Sequence, residues 1–238
     1  MRTIAVYSGR FHPSHLGHKA VYNKLVQQFG QNNVYIATSD KQAPMSSPFT
    51  FEQKQFLWTE LGVPQDKVVL VKNPYKPTEI TSKFDTNETS IVFAVSEKDS
   101  DRFSFNPKKD GSPSYMQPYQ ENKELNPISQ TGYVLLVPTV EFKILDKPVS
   151  GASDIRGMYI KAKDDVRNKI LNDLYGKVNP KVKAIYDKQL SMTEKTLVLL
   201  SKTYYLTEGK LDKRNTILEQ AEKLELISKK AEFNYQWI

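Results

Sequence analysis

The chain has 238 residues, no cysteine, 39% hydrophobic and 11% aromatic content and a formal charge of +7, which suits one large domain or two small ones and is too apolar for a disordered chain. Without cysteine there are no thiol nucleophiles, disulfides or cysteine-ligated zinc sites, and no apolar run reaches the roughly 18 to 20 residues that a membrane helix needs. The N-terminus runs straight into a strand-like segment with no apolar signal core, so the expectation is a cytoplasmic protein with no membrane partner.

Residues 3–8 form a short apolar, β-branched run, followed by a Gly/Pro/His segment and then by Ala20, Val21, Leu25, Val26 and Phe29 at helical spacing. That is strand, loop, helix, and the unit recurs. Val34 to Ala37 reads as a strand, Phe49 to Leu61 as an amphipathic helix stopped by Gly62, and Val68 to Val71 as the next strand. Ile91 to Val95 and Tyr133 to Val137 are two more. Strands alternating with helices predict an α/β fold: a parallel five-stranded sheet with helices on both faces. In such a sheet the ligand sits beyond the carboxyl ends of the strands, so the loops after residues 8, 38, 71 and 95 are the places to look. On the second helix Trp58 falls with Phe51 and Leu61 on the apolar side and reads as core, whereas Lys54 reads as a solvated cation.

Residues 103–132 break the rhythm, being rich in Pro, Asn, Ser, Lys and Gln, and read as a long insertion, either a functional lid or a mobile excursion. From about residue 153 the pattern is helical to the end, punctuated by Asn179-Pro180 and Gly209. The expected division is therefore a domain over 1–160 and a helical C-terminal extension over 161–238. That extension carries 16 Lys+Arg against 11 Asp+Glu, the rest of the chain 18 against 16, so the tail supplies +5 of the +7. A basic tail can bind nucleic acid, but Lys and Glu interleave here as on a solvated helix face, which favours the plainer reading.

All three histidines of the chain, His12, His15 and His18, fall in one seven-residue window between the first strand and the first helix. A helix N-terminus at that point favours an anion such as phosphate. Gly9 and Gly17 allow close approach of backbone to a ligand, and Pro13 fixes the turn. The histidines could instead bind zinc, but Pro13 and Gly17 prevent the continuous helix that would align them, and no fourth ligand is suggested, so no metal site is expected. The role of His12 stays open.

Ser8-Gly9-Arg10-Phe11-His12-Pro13-Ser14-His15-Leu16-Gly17-His18 resembles the G-x-F-x-P-x-H-x-G-H signature of the nucleotidyltransferase superfamily, the cytidylyltransferase-like relatives of class I aminoacyl-tRNA synthetases. Its Gly-Arg-Phe opening is most similar to nicotinamide mononucleotide (NMN) adenylyltransferases. Ser47-Pro48-Phe49-Thr50-Phe51-Glu52-Gln53-Lys54 resembles their N-P-F-T-x-x-E-R stretch, with Gln53 and Lys54 in place of Glu and Arg. Ser150-Gly151-Ala152-Ser153-Asp154-Ile155-Arg156 resembles the late I-S-x-T-x-I-R signature, with the Ser register shifted by one.

The resemblance covers about residues 3–160 and implies a Rossmann-like domain that transfers a nucleotidyl group from a nucleoside triphosphate to a phosphorylated small-molecule acceptor and releases pyrophosphate, with Mg2+ bridging the triphosphate of ATP. It implies that His15 and His18 stabilise charge at the attacked α-phosphate and that Arg156 with Ser150 and Ser153 holds the leaving phosphates; taken without the resemblance, a lone Arg156 would by default pair with a surface carboxylate. It further places Ser8, Gly9, Arg10, Phe11 and Gly17 around the nucleotide, gives Lys41 to a substrate phosphate and Arg102 to another, and makes NAD biosynthesis the expected role. The tryptophan that such enzymes stack on nicotinamide after the third strand is missing here; Tyr75 is the substitute. CTP-dependent cytidylyl transfer and phosphopantetheine-type adenylyl transfer are the alternatives within the superfamily. A non-catalytic nucleotide- or nucleic-acid-binding module is the alternative outside it. Oligomeric state, a homo-oligomer included, is left open.

Overall fold

The computed structural model describes residues 1–43, 46–149 and 151–190. They form two compact units, Met1–Asp40 with Phe51–Ala152 and Lys41–Thr50 with Ser153–Ile238. The last 48 positions of the expected C-terminal extension, 191–238, lie outside the described residues.

The first unit is built on a parallel sheet. The strands are β1 (Arg2–Ser8), β2 (Val34–Thr38), β3 (Val68–Leu70), β4 (Thr89–Ser96), β5 (Met116–Pro118) and β6 (Gly132–Val137), in the order β3-β2-β1-β4-β6-β5. Every neighbouring pair is parallel. The β3-β2-β1-β4 order is Rossmann-like, and all five expected strands are present. The expected count of five is corrected to six, because β5 arises inside the 103–132 insertion. Its three residues, Met-Gln-Pro, have no apolar pattern that could announce a strand.

Strands β1, β2 and β4 are buried almost throughout, as their near-continuous apolar runs require of a sheet covered on both faces. Side chains alternate along each strand. Ile4 and Val6 of β1 join Ile91, Phe93 and Val95 of β4 in one core with Ile80, which belongs to the short helix α3 (Thr78–Thr81). Tyr7 points the other way, to the rings of Phe11 and Trp58. That face carries α1 (Leu16–Phe29) and α2 (Phe51–Glu60), whose buried residues include Val21, Leu25, Leu57 and Trp58. Trp58 is fully buried, as its place on the apolar side of the helix predicts.

The later part of the insertion, residues 119–128, is tied to the sheet and to α1. Ser90 Oγ donates to the carbonyl oxygens of Leu125 and Asn126 at 3.3 and 2.9 Å, Ile128 N–H donates to Thr89 O, and Tyr119 packs on Phe29. Thr89 and Ser90 open β4 and Phe29 closes α1, so these contacts hold residues 119–128 at the amino ends of the strands. A hairpin follows β6: β7 (Phe142–Ile144) pairs antiparallel with β8 (Lys147–Val149). Its two turn residues, Leu145 and Asp146, both have positive φ, 52° and 61°, the backbone of a type I′ turn.

In the second unit α4 (Ala152–Lys161) and α5 (Asp164–Tyr175) precede a further helix through residues 180–190. Gly176, φ 73°, closes α5. Asn179 opens the last helix by accepting the Lys181 N–H on its Oδ1, with Pro180 next in line. Tyr186 is the centre of the core, with Phe49, Tyr159 and Tyr175 around it. Among the described residues no helix is long and apolar enough to cross a membrane.

If Ser90 is the tether of the insertion, Ser90→Ala removes the buried hydroxyl that donates to the Leu125 and Asn126 carbonyls. Urea titration is expected to give a loss of about 1–2 kcal/mol, and a stability equal to that of the parent chain would refute the tether.

Candidate active site

β1 lies in the middle of the sheet, so its carboxyl end is clamped by β2 on one side and β4 on the other. The chain leaves that end in a tight loop. Gly9 N–H donates to Ala37 O at 3.1 Å, and Thr38 Oγ1 donates to Arg10 O at 3.3 Å. Phe11 then turns with φ 53° and buries its ring. A Cβ on Gly9 would stand 2.7 Å from that ring, and one on Gly17 would stand 2.6 Å from the Val140 carbonyl oxygen. Both glycines are therefore needed by the packing, whatever else they permit.

His15 is the N-cap of α1 in extended conformation, yet its side chain does not cap the helix. No acidic residue occupies the first turn. The positive end of a 14-residue helix is thus left without a counter-charge of its own. His15 and His18 stack with ring centroids 3.6 Å apart at 27°, and Phe142 continues the stack on His15 at 5.0 Å. The edge of His18 meets Phe11 at 5.0 Å, and Tyr7 and Trp58 complete the aromatic wall. Burial, and then the neighbouring His15, hold His18 well below the ordinary histidine value. Its Nδ1 has no hydrogen-bond partner among the described residues.

Among the described residues no group of three or more His, Asp or Glu side chains could hold a metal.

The loops after the other strands meet the same edge. Ser8 Oγ donates to Pro74 O at 2.6 Å, which ties the end of β1 to the loop after β3. In the loop after β4, Asp99 accepts from Ser96 Oγ and from Arg102 Nε, each at 2.9 Å. Burial pulls the Asp99 carboxyl upward, but the hydrogen bonds from Arg102 and Ser96 outweigh it and keep the group below its usual value. The Arg102 guanidinium lies 4.8 Å from the centre of the Tyr75 ring. Burial and then the Asp99 charge push the Tyr75 hydroxyl up to about 12.

Of the residues singled out in the sequence, Ser8, Gly9, Arg10, Phe11, His15, Gly17, His18 and Arg102 all belong to the first unit. The Ser8 hydroxyl proton and the Arg102 side chain are engaged by protein neighbours, and one face of Tyr75 is taken by Arg102. Lys41, Ser153 and Arg156 belong to the second unit, the last two on α4. Ser150 falls outside the described residues. His12 is buried.

The expectation for Lys54 is overturned. It is fully buried, its Nζ donates to Thr38 Oγ1 at 3.0 Å and to the Ser39 carbonyl, and burial pushes its pKa down to about 8 against the opposing pull of Asp40 and Glu52. Its spacing from Leu57 and Trp58, three and four residues on, already placed it on the buried stripe of α2. Phe142 was missed because the hairpin that carries it was missed.

No protein-family model matches the chain, and no curated protein matches it. Solved structures do. One, described as a bifunctional NMN adenylyltransferase/ADP ribose pyrophosphatase complexed with AMP and Mn ion from Francisella tularensis, is 16% identical over 86% of this chain, with a TM-score of 0.46. The chain spans 56% of that protein's length. Another, described as Plasmodium falciparum nicotinic acid mononucleotide adenylyltransferase complexed with NaAD, is 13% identical over 81% of this chain and 98% of its own, with a TM-score of 0.45.

A histidine free in the unfolded chain titrates near 6.5, and His18 in the fold titrates lower. Below about pH 6.5 the unfolded state therefore takes a proton that the native state declines, so stability is lost as pH falls, by up to about 1.4 kcal/mol per pH unit. Unfolding in urea at pH 7.5 and 5.5 should resolve that loss, and His18→Asn should diminish it. An undiminished pH dependence in the variant would contradict the assignment.

Proposed function

We propose that the chain is a nucleotidyltransferase that moves AMP from ATP onto a phosphate acceptor, NMN above all, to give NAD and pyrophosphate. The observation that carries this reading is the stacked His15–His18 pair at the uncapped N-terminus of α1, within a sequence that matches G-x-F-x-P-x-H-x-G-H. An oxygen of the acceptor phosphate attacks the α-phosphorus in line, the bond from that phosphorus to the bridging oxygen of pyrophosphate breaks, and pyrophosphate leaves with the electron pair. No covalent enzyme intermediate and no strong base are needed.

What this chemistry asks of a protein is positioning and donors aimed at developing negative charge. The first-turn N–H groups of α1 and the imidazole N–H groups supply donors without bringing a carboxylate near the triphosphate. Burial, and then the neighbouring His15, hold the His18 ring back from taking a proton. A polyphosphate beside the two rings favours the protonated form of either ring, which matches donor strength to the arrival of substrate. Mg2+ would come with ATP, held mostly by phosphate oxygens and water, and would neutralise charge on the phosphates. The resemblance assigns Ser153 and Arg156 of the second unit to the leaving pyrophosphate, and the Arg fork suits phosphate oxygens.

Pyrophosphate release with Mg2+ tests the reading, using ATP or CTP against NMN, nicotinate mononucleotide, phosphopantetheine and glycerol 3-phosphate. Release is expected with ATP and NMN, and His18→Ala is expected to lower kcat by about 10²–10³-fold with an unchanged circular dichroism spectrum. A fully active His18→Ala enzyme overturns the catalytic role, silence with every pair overturns the reaction, and release with CTP alone moves the assignment to cytidylyl transfer.

A further inference from the structure

Lys54 brings a positive charge into the interior on α2, where Asp40 and Glu52 act on it and its Nζ donates to Thr38 Oγ1 and to the Ser39 carbonyl. A buried ammonium is costly. Methionine would match its length and remove the charge. The retained lysine has to be explained by what it touches.

An ammonium only donates. Thr38 Oγ1, 3.0 Å from Nζ, therefore accepts from Lys54, and its single hydroxyl proton is directed onward to Arg10 O at 3.3 Å. Thr38 is the last residue of β2 and is itself fully buried. The carbonyl it holds belongs to the peptide that turns the chain out of β1 into left-handed Phe11. A trans peptide is planar with its C=O and N–H on opposite edges, so fixing the carbonyl also fixes the Phe11 N–H, directed away from Thr38. Neither that N–H nor the N–H of Arg10 has a partner among the described residues. One polarised line thus runs from α2 through β2 into the loop that ends at the histidine pair.

We propose that Lys54 is a positioning residue for the Gly9–His18 loop: its ammonium orients the Thr38 hydroxyl, and that hydroxyl holds the Arg10–Phe11 peptide ready for the phosphates of a nucleotide. The proposal rests on the nucleotidyl-transfer reading above. Asp40 and Glu52 are the charged groups that act on Lys54, and the β2 residues it touches are neutral. A neutral amine can accept as well as donate, so loss of the Lys54 proton frees the Thr38 hydroxyl to turn back and release Arg10 O.

The test is MgATP affinity by isothermal titration, with kcat measured alongside. Thr38→Val, which keeps the shape and removes the hydroxyl, is expected to raise Kd about tenfold, the value of one hydrogen bond, with kcat within about threefold of the parent. Thr38→Ser should restore affinity. Lys54→Met should raise Kd similarly, the double variant should be no worse than either single one, and the rise in Kd above pH 8 expected of the parent protein should be absent from Lys54→Met. Unchanged affinity in Thr38→Val overturns the proposal even if Lys54→Met fails to fold, and so does a double variant whose losses add. A parent chain that binds MgATP with this variant pattern but releases no pyrophosphate keeps the positioning role and removes the reaction; one that binds no MgATP removes both.

Discussion

Phe11 is the residue on which the carboxyl edge of the sheet depends. Its backbone is left-handed, a conformation that costs a non-glycine residue about 1–2 kcal/mol. Its ring is buried against Tyr7, His18 and Trp58, and full burial of a phenylalanine side chain returns about 1.5–3 kcal/mol. The two magnitudes are comparable, so the turn holds only while the aromatic wall is intact. Strand β1 supplies Tyr7, α1 supplies His18 and α2 supplies Trp58, and through Phe11 the three elements fix one another. The geometry of the histidine pair is therefore a property of the core as much as of the loop.

The same packing sets the electrostatics. Tight aromatic surroundings deny His18 the water that would stabilise its cation, while the uncapped end of α1 leaves a positive partial charge unanswered. Asp99, one of three carboxylates in the loop after β4, is bound to Arg102 and Ser96, so its charge is met locally. The result is an edge with directed N–H donors, little net cationic charge and no competing free carboxylate among the residues that form the stack. Under the proposed nucleotidyl transfer, such an edge would meet a polyanion through fixed dipoles, which need not reorganise when charge shifts during reaction, with less dependence on screened surface lysines.

Much of this was legible because the relevant signals are local and redundant. A strand buried on both faces has to be a continuous apolar run, and β1, β2 and β4 are. Trp58 falls at helical spacing with other apolar residues, so its burial followed from period alone. The histidine window needed only its position between a strand and a helix. The failures have different causes. β5 exists because β6 offers it an edge, and a three-residue strand containing proline carries no pattern of its own. The β7–β8 hairpin turns on Leu145-Asp146, which lacks the glycine or asparagine by which such turns are recognised. Lys54 was misread because residue type was allowed to outrank its place on the buried stripe of α2, although that placement was visible three and four residues before Leu57 and Trp58.

The segment after β2 shows how far a sequence motif can be divided by the fold. The chain leaves the first unit after Asp40 and re-enters it at Phe51, and the Asp40 carboxylate accepts the Phe51 N–H at 2.6 Å. That bond closes the neck of a ten-residue excursion and gives the first turn of α2 an acceptor. Inside the excursion Ala43 pairs with Ser47, and Phe49 packs on Tyr186 of the helical unit. The stretch from Ser47 to Lys54 reads as a single motif, yet Ser47, Pro48, Phe49 and Thr50 serve the core of one unit while Phe51 to Lys54 begin a helix of the other. With its neck pinned by one carboxylate, such a motif can hold its two halves to separate duties: an aromatic anchor before the neck, and after it a buried cation that reaches the loop next to β1.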